Sequence, residues 1–157
     1  MSCSLALAVS LLLSDPAVAV AAARPAAATV PASVASEPLF SDIVARSGGL
    51  KAVVDGWMAS GAADAEGFTT GTVFTGFKSQ IVELAARDLQ GHLVLQERGT
   101  DGDLKCILRG ISEDMPLKLA AVENAGSKAE RDVALSELSY LLNDNVEVIT
   151  SPPQPEV

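Results

Sequence analysis

Apolar residues recur with helical spacing near the start of the predicted domain. Between Leu50 and Trp57, apolar side chains fall at positions i, i+3, i+4 and i+7, which is the stripe of an amphipathic helix. The preceding segment also reads as helical, with a proline in its first turn. Because Ser47-Gly48-Gly49 is a helix-ending sequence, the pattern predicts two short helices, over 37–46 and 50–60.

The next segment contains a clear helix with an ambiguous beginning. Over 78–89, apolar positions such as Ile81 and Leu89 would face inward, and Gly91 suits the residue that ends a helix. The residues before it, 72–75, fit a short strand because they are β-branched and aromatic. They fit a continuation of the helix equally well, so the pattern leaves both open.

The strongest signal for a β-hairpin lies in the middle of the chain. Two short apolar runs, 92–98 and 104–109, flank the segment 99–103, which contains Asp101-Gly102. Asp-Gly between alternating apolar runs is typical of a tight hairpin turn. The second run also fits a helical period, so a helix is the alternative. We favour the hairpin, in which Cys106 would share the face of two leucines.

Two capped helices are predicted after the hairpin. Ser112 is a suitable cap for a helix over 113–124, with acidic residues at the positive end of its dipole. Ser127 is suited to cap the following helix, which would end near Leu142, and Glu130 stands at the capping-box position.

The predicted domain closes with a strand. The residues 143–145 have turn chemistry, and 146–150 are rich in valine and isoleucine. The predicted fold class is therefore α+β: a small helix-rich domain with an antiparallel β-hairpin and a closing strand, compatible with a split βαβ arrangement. If the hairpin is not formed, the whole domain becomes an all-α bundle.

The amino terminus resembles a secretory signal peptide. Its apolar run over 5–13 has the length of a signal-peptide core and is too short to span a bilayer. Ala17-Val18-Ala19 offers small residues for cleavage after position 19, and cleavage as late as position 23 fits nearly as well. We therefore expect residues 1–19 to be removed and the protein to be periplasmic or secreted.

The rest of the chain divides into three parts. Residues 20–38 read as an Ala/Pro-rich linker, 39–150 as a single globular domain, and 151–157 as a Pro-rich tail. The central part is long enough for one modest hydrophobic core. After cleavage Cys106 is the only cysteine, so the domain has no intramolecular disulfide.

The charge of the chain restricts its partners. The sequence has 20 acidic and 11 basic side chains, a formal net charge of −9. A surface with this excess repels nucleic acid and anionic lipid headgroups. We expect no nucleic-acid partner and no stable membrane span after cleavage. The expected partner is another protein, and a basic one would be complementary.

Few side chains could carry chemistry. In the predicted hairpin, His92 and Cys106 do not face each other, so no Cys–His dyad is expected. Cys106 is expected to be buried and inert, with a reactive thiol as the alternative. Asp101 and Asp103 are weak metal-ligand candidates, because acids around a turn glycine usually set the turn and the longer Ca²⁺-loop pattern is missing. We predict no catalytic residues, no metal and no cofactor.

The leading hypothesis is a non-enzymatic exported protein that binds another protein, such as an inhibitor, an immunity protein or an envelope accessory factor. It follows from the export signal, the acidic domain and the lack of a catalytic motif. The alternative is a carrier domain for a small ligand or a metal. A third reading is a hydrolase that uses Glu97, Asp101 or Asp103, since two carboxylates about 5–10 Å apart can provide general acid–base catalysis.

Overall fold

In the computed structural model, residues 33–100 and 102–151 are described, and they form helices joined by short connections. The long helices are α1 (Pro38–Ser60), α2 (Thr72–Arg98), α3 (Gly102–Glu123) and α4 (Lys128–Thr150). Three short 3-10 helices accompany them, Val34–Ser36, Ala62–Asp64 and Phe68–Thr70. Predictions for 1–32, for Asp101 and for 152–157 lie outside the described residues.

The fold is all-α, so the predicted α+β class is wrong and the helical-bundle alternative is correct. No strand occurs in 33–100 or 102–151. The segments expected to form the hairpin belong to the end of α2 and the beginning of α3, and the expected closing strand is the last turn of α4. Residues 72–75, left open by the sequence, begin α2.

The four helices form an antiparallel ring. α1 and α3 each pack against both α2 and α4. Cross-helix ion pairs join the end of one helix to the start of its neighbour: Arg98 bonds to Glu37 at 2.8 Å, and Lys78 bonds to Glu123 at 2.7 Å. Neighbouring helices therefore run in opposite directions, which gives an up-and-down four-helix bundle.

The spacing of buried residues explains why the middle of the chain is helical. On α3 the buried positions are Leu104, Leu108, Ile111, Met115, Leu119 and Val122. Steps of three and four residues place side chains on one face of a helix, whereas a strand requires steps of two. Between α2 and α3, Gly99 adopts a left-handed backbone with φ 67°, and its N–H bonds to the carbonyl of Gln96. The glycine-rich segment therefore ends a helix instead of turning a hairpin.

Two predicted helix boundaries are internal to long helices. α1 continues through Ser47-Gly48-Gly49 because Ser47 and Leu50 are both buried, while the two glycines face open space. Packing of the buried face therefore outweighs the low helix propensity of glycine. Ser112 likewise lies inside α3, which also contains Pro116, so the predicted helix start there is wrong. The cap at Ser127 is confirmed, since its hydroxyl accepts the N–H of Glu130 at 3.2 Å.

A single apolar core runs through the bundle. All four helices contribute buried side chains, and Val34 covers one edge of it. At one end, Trp57 packs on Phe68, Phe74 and Phe77 with ring centroids 4.7 to 5.9 Å apart. Trp57, Phe74 and Phe77 are buried in the core, and Phe68 is partly buried against it.

Not every predicted core residue is inside the bundle. Leu89 is 45% exposed, so the expectation that it faces inward is wrong, and Tyr140 is also on the surface, 69% exposed. Gly91, expected to end a helix, lies buried in the middle of α2, where an added Cβ would meet Leu108 Cδ1 at 3.1 Å. None of the described helices has a stretch both long and apolar enough to cross a bilayer.

The connection between α1 and α2 is attached to the start of α4. Arg131 donates from Nη1 to the carbonyl oxygen of Ala63 at 2.7 Å, and Lys128 bonds to Asp64 at 2.8 Å. The first turns of α4 are therefore held from one side by this loop. On the other side they face the end of α3.

Candidate functional site

The residues singled out in the sequence do not meet in one site. His92 lies on α2 and its Nδ1 is 2.7 Å from the carbonyl oxygen of Lys105, which links α2 to α3. Cys106 is a free, exposed cysteine on α3, so its predicted burial is wrong. The reason is the helical backbone, which turns Cys106 away from the face of Leu104 and Leu108.

The predicted carboxylates are similarly dispersed. Asp103 lies in the first turn of α3, where a negative charge is favourable at the positive end of the helix dipole. Glu97 is exposed near the end of α2, and Asp101 is outside the described residues. Within 33–100 and 102–151, no group of three His, Cys, Asp or Glu side chains is placed to hold a metal ion.

A buried polar cluster, not anticipated from the sequence, joins three helices. Ser47 of α1, Asp88 of α2 and Asn145 of α4 are all completely buried, and we call them the core polar triad. Asn145 Nδ2 donates to Ser47 Oγ at 3.0 Å and to both Asp88 carboxylate oxygens at 3.0 and 3.1 Å. Asn145 Oδ1 has no hydrogen-bond partner in this arrangement.

The core polar triad has unusual electrostatics but no access to solvent. Burial raises the pKa of Asp88 to about 7, and the hydrogen bond from Asn145 opposes that increase. Removing a carboxylate from water is costly unless other groups compensate its charge. Because all three side chains are enclosed by the bundle, we assign the triad a structural role rather than a catalytic one.

A second polar cluster lies at the surface between α1 and α4. Ser139 donates from Oγ to Asp55 Oδ1 at 2.6 Å, and Lys51 Nζ bonds to the same carboxylate at 2.6 Å. These hydrogen bonds, first that of Lys51 and then that of Ser139, hold the pKa of Asp55 below its ordinary value. A carboxylate that is harder to protonate is a poor general base, so the arrangement does not activate the serine for nucleophilic attack.

A groove lies on the described surface between α3 and α4. It consists of two hollows, of about 550 and 520 Å³, that share Glu137 on their border. We call them together the α3–α4 groove. The first hollow is lined mainly by small apolar side chains: Ala121, Ala125, Ala129, Val133 and Ala134. The second is more polar and includes Asp114, Lys118, Tyr140 and Asp144.

A capping hydrogen bond and an ion pair between helices position two of the residues that line the groove. Glu130, at one end, accepts the N–H of Gly126 at 2.8 Å and so belongs to the cap of α4. Lys118 of α3 bonds to Glu137 of α4 at 2.8 Å across the middle of the groove. Val133 and Tyr140 line the first and second hollow respectively and are 58% and 69% exposed.

Among the four long helices, the excess of carboxylates over basic side chains lies on α3 and α4. α3 and α4 together carry nine carboxylates and five basic side chains, whereas α1 and α2 carry five of each. Within the described residues, no basic side chain lies within 4 Å of the carboxylates of Asp114 or Asp144. Burial and the nearby charge of Glu147 raise the pKa of Asp144.

Sequence reasoning missed both the triad and the groove, although each left a signal. Asp88 lies four residues after Leu84 and three residues before Gly91, which is the spacing of the buried face of α2. Val133 and Tyr140 are seven residues apart and therefore lie on one side of α4.

Comparison of the chain with protein-family models, with curated proteins and with solved structures gives no match.

Proposed function

We propose that this chain is an exported, non-enzymatic protein that binds another protein, and that the α3–α4 groove receives a basic amphipathic segment of the partner. The observation that carries the proposal is the coincidence of an open apolar groove with the two helices that carry an excess of carboxylates. Export rests on the amino-terminal sequence, and recovery of a chain cleaved after residue 19 from the envelope or the medium would test it.

The apolar part of the groove suits a helix. Alanine side chains on both walls allow a partner backbone to approach closely, and Val133 and Tyr140 offer larger contacts along α4. An amphipathic helix binds by placing its apolar face into such a groove, with anchors at i, i+3, i+4 and i+7. An exposed tyrosine beside a groove is typical of residues that dominate binding energy.

The charge of the groove selects the partner. Asp114 and Asp144 have no ion pair within 4 Å in the described residues, and burial together with the charge of Glu147 raises the pKa of Asp144. A lysine or arginine of the partner would compensate both carboxylates, because opposite charges favour the ionised forms. Such contacts accelerate association and weaken as salt is added.

The proposal is tested by capture with matched variants. Purified chain would be immobilised and exposed to envelope extract at low salt, with Val133→Lys as the groove variant and Val73→Lys as the control. Val73 is 70% exposed, lies at the start of α2 and lines neither hollow of the groove. We expect a stoichiometric partner on the wild-type chain and on the control, and its loss on the groove variant.

Two results would contradict the proposed binding surface or the proposed role of charge. If Val133→Lys and Val73→Lys capture the same proteins in the same amounts, the groove is not the binding surface. If the partner remains bound when salt is raised from roughly 50 to 500 mM, electrostatic attraction is not what selects it.

A further inference from the structure

The outer face of α2 carries a second apolar surface that faces away from the core. Val82, Ala86, Leu89 and Leu93 follow one another at steps of four, three and four residues. All four are exposed, the three larger ones to 57%, 45% and 53%. We call this stripe the α2 seam. It extends about 16 Å along the helix, at 1.5 Å per residue.

The spacing of the α2 seam is that of a coiled-coil contact. Alternating steps of three and four keep apolar side chains on one line that a second helix can cover. No charged residue interrupts the seam. The buried face of α2 has the same steps of three and four, at Ile81, Leu84, Asp88, Gly91 and Leu95. α2 therefore presents one line of residues to its own bundle and a second, apolar line to the outside.

We propose that this chain forms a parallel homodimer in which the α2 seams of two copies pack against each other. The residues that flank the seam support a second copy as the occupant. On one flank lie Lys78, Ala85 and His92, and on the other lie Glu83, Gln90 and Glu97. In a parallel pair, each residue of the first flank meets the residue five positions later on the partner helix.

This register pairs complementary side chains. Lys78 meets Glu83 of the other copy, Ala85 meets Gln90, and His92 meets Glu97. In an antiparallel pair each flank meets its own kind, so no pair of opposite charges forms. Lys78 and Glu83 remain 48% and 64% exposed in their present ion pairs, so both are accessible to a second copy. His92 uses Nδ1 for Lys105, so its contact with Glu97 would be made by Nε2.

The α2 seam is short, which sets the strength of the dimer. Three turns of helix make an interface at the small end of the range for specific complexes, so we expect a dissociation constant on the order of 100 µM. The seam lies on α2, whereas the residues that line the α3–α4 groove lie on α3, on α4 and between them, so the two surfaces share no residue. The dimer is therefore independent of the proposed partner-binding function.

Sedimentation of the full-length chain, from about 5 to about 500 µM, tests the dimer. We expect a monomer–dimer equilibrium, weakened by about tenfold or more in Leu89→Glu, which would bury a carboxylate in the seam. The control is Val53→Glu, at an exposed position of α1. Monomer at every concentration, or an equal effect of the two substitutions, would overturn the proposal.

Cross-linking tests the parallel register. In a background that carries Cys3→Ser and Cys106→Ser, Leu93→Cys places the new thiol opposite its own copy in a parallel pair, within the Cα separation of about 4.4–6.8 Å that a disulfide needs. Val53→Cys in the same background is the control. We expect oxidation to link the first variant into dimers and not the second. Failure of Leu93→Cys to cross-link at concentrations where dimer is present would refute the parallel arrangement.

Discussion

The core polar triad makes the stability of the bundle depend on pH through one residue. Asp88 has a pKa of about 7 in the folded chain against an ordinary value of 3.8. Between these values the folded state holds a proton that the unfolded state releases, so the free energy of unfolding falls as pH rises. At about 1.4 kcal/mol per pKa unit, a gap of about three units amounts to roughly 4 kcal/mol.

Asp88→Asn removes this dependence without changing the shape of the side chain. The new carboxamide can accept from Asn145 Nδ2 and can donate to Asn145 Oδ1, which now has no partner. We therefore expect the variant to be more stable than the wild type at pH 8. The difference in the free energy of unfolding should widen by about 4 kcal/mol between about pH 4 and pH 8.

Urea unfolding at a series of pH values provides the measurement, with the free energy obtained by linear extrapolation. Asp144→Asn is the control, since Asp144 is only partly buried and its removal should leave most of the wild-type slope. Parallel pH profiles for Asp88→Asn and the wild type would refute the reasoning, because they would mean that Asp88 titrates alike in both states.

Three further perturbations test the packing and the caps. Gly91→Ala should destabilise the bundle by about 1 kcal/mol, because the added Cβ would lie 3.1 and 3.3 Å from buried carbons. Gly76→Ala has nothing within 4 Å of the added Cβ and should stabilise the bundle by about 0.5–1 kcal/mol. Equal effects of the two substitutions in urea unfolding would contradict this reasoning. Ser127→Ala should cost about 1 kcal/mol through loss of the α4 cap, and Ser136→Ala, on the exposed face of α4, should not. Trp57→Ala should cost about 3–5 kcal/mol and abolish the near-ultraviolet circular dichroism of the aromatic cluster; an unchanged melting temperature would refute that packing.

The sequence predicted helix content better than helix length. The stripe from Leu50 to Trp57 and the cap at Ser127 are present as expected. Ser47-Gly48-Gly49 was misleading because glycine lowers helix propensity by only about 1 kcal/mol, less than packing of the buried face can supply. Local signals therefore identified elements, and the tertiary contacts decided where each helix ended.

The hairpin prediction failed for a related reason. Short apolar runs separated by glycine and aspartate occur both in β-hairpins and in helical hairpins. The spacing of Leu104, Leu108 and Ile111 favours a helix, and in the folded chain this packing outweighs the turn preference of the residues around Gly102. Cys106 was misplaced as a consequence, since its burial depended on alternation along a strand.

The candidate surfaces could be recovered from the sequence only in part. Once α4 is known to be a helix, Val133 and Tyr140 fall on one side of it, and the acidic residues of α3 and α4 can be counted. Which helix stands beside α4 is a property of the topology and has no local signal. The burial of Asp88 is likewise decided by the partners that α1 and α4 supply.

An NMR titration can show directly whether the α3–α4 groove binds a basic amphipathic helix. Isotope-labelled chain would receive a synthetic basic amphipathic helix of lysine and leucine, and separately a peptide in which glutamate replaces every lysine. We expect the basic peptide to shift amide signals along the α3–α4 groove, around Ala121, Val133 and Tyr140, and we expect Val133→Lys to reduce those shifts. Equal shifts with the acidic peptide, or shifts confined to α1 and α2, would contradict it.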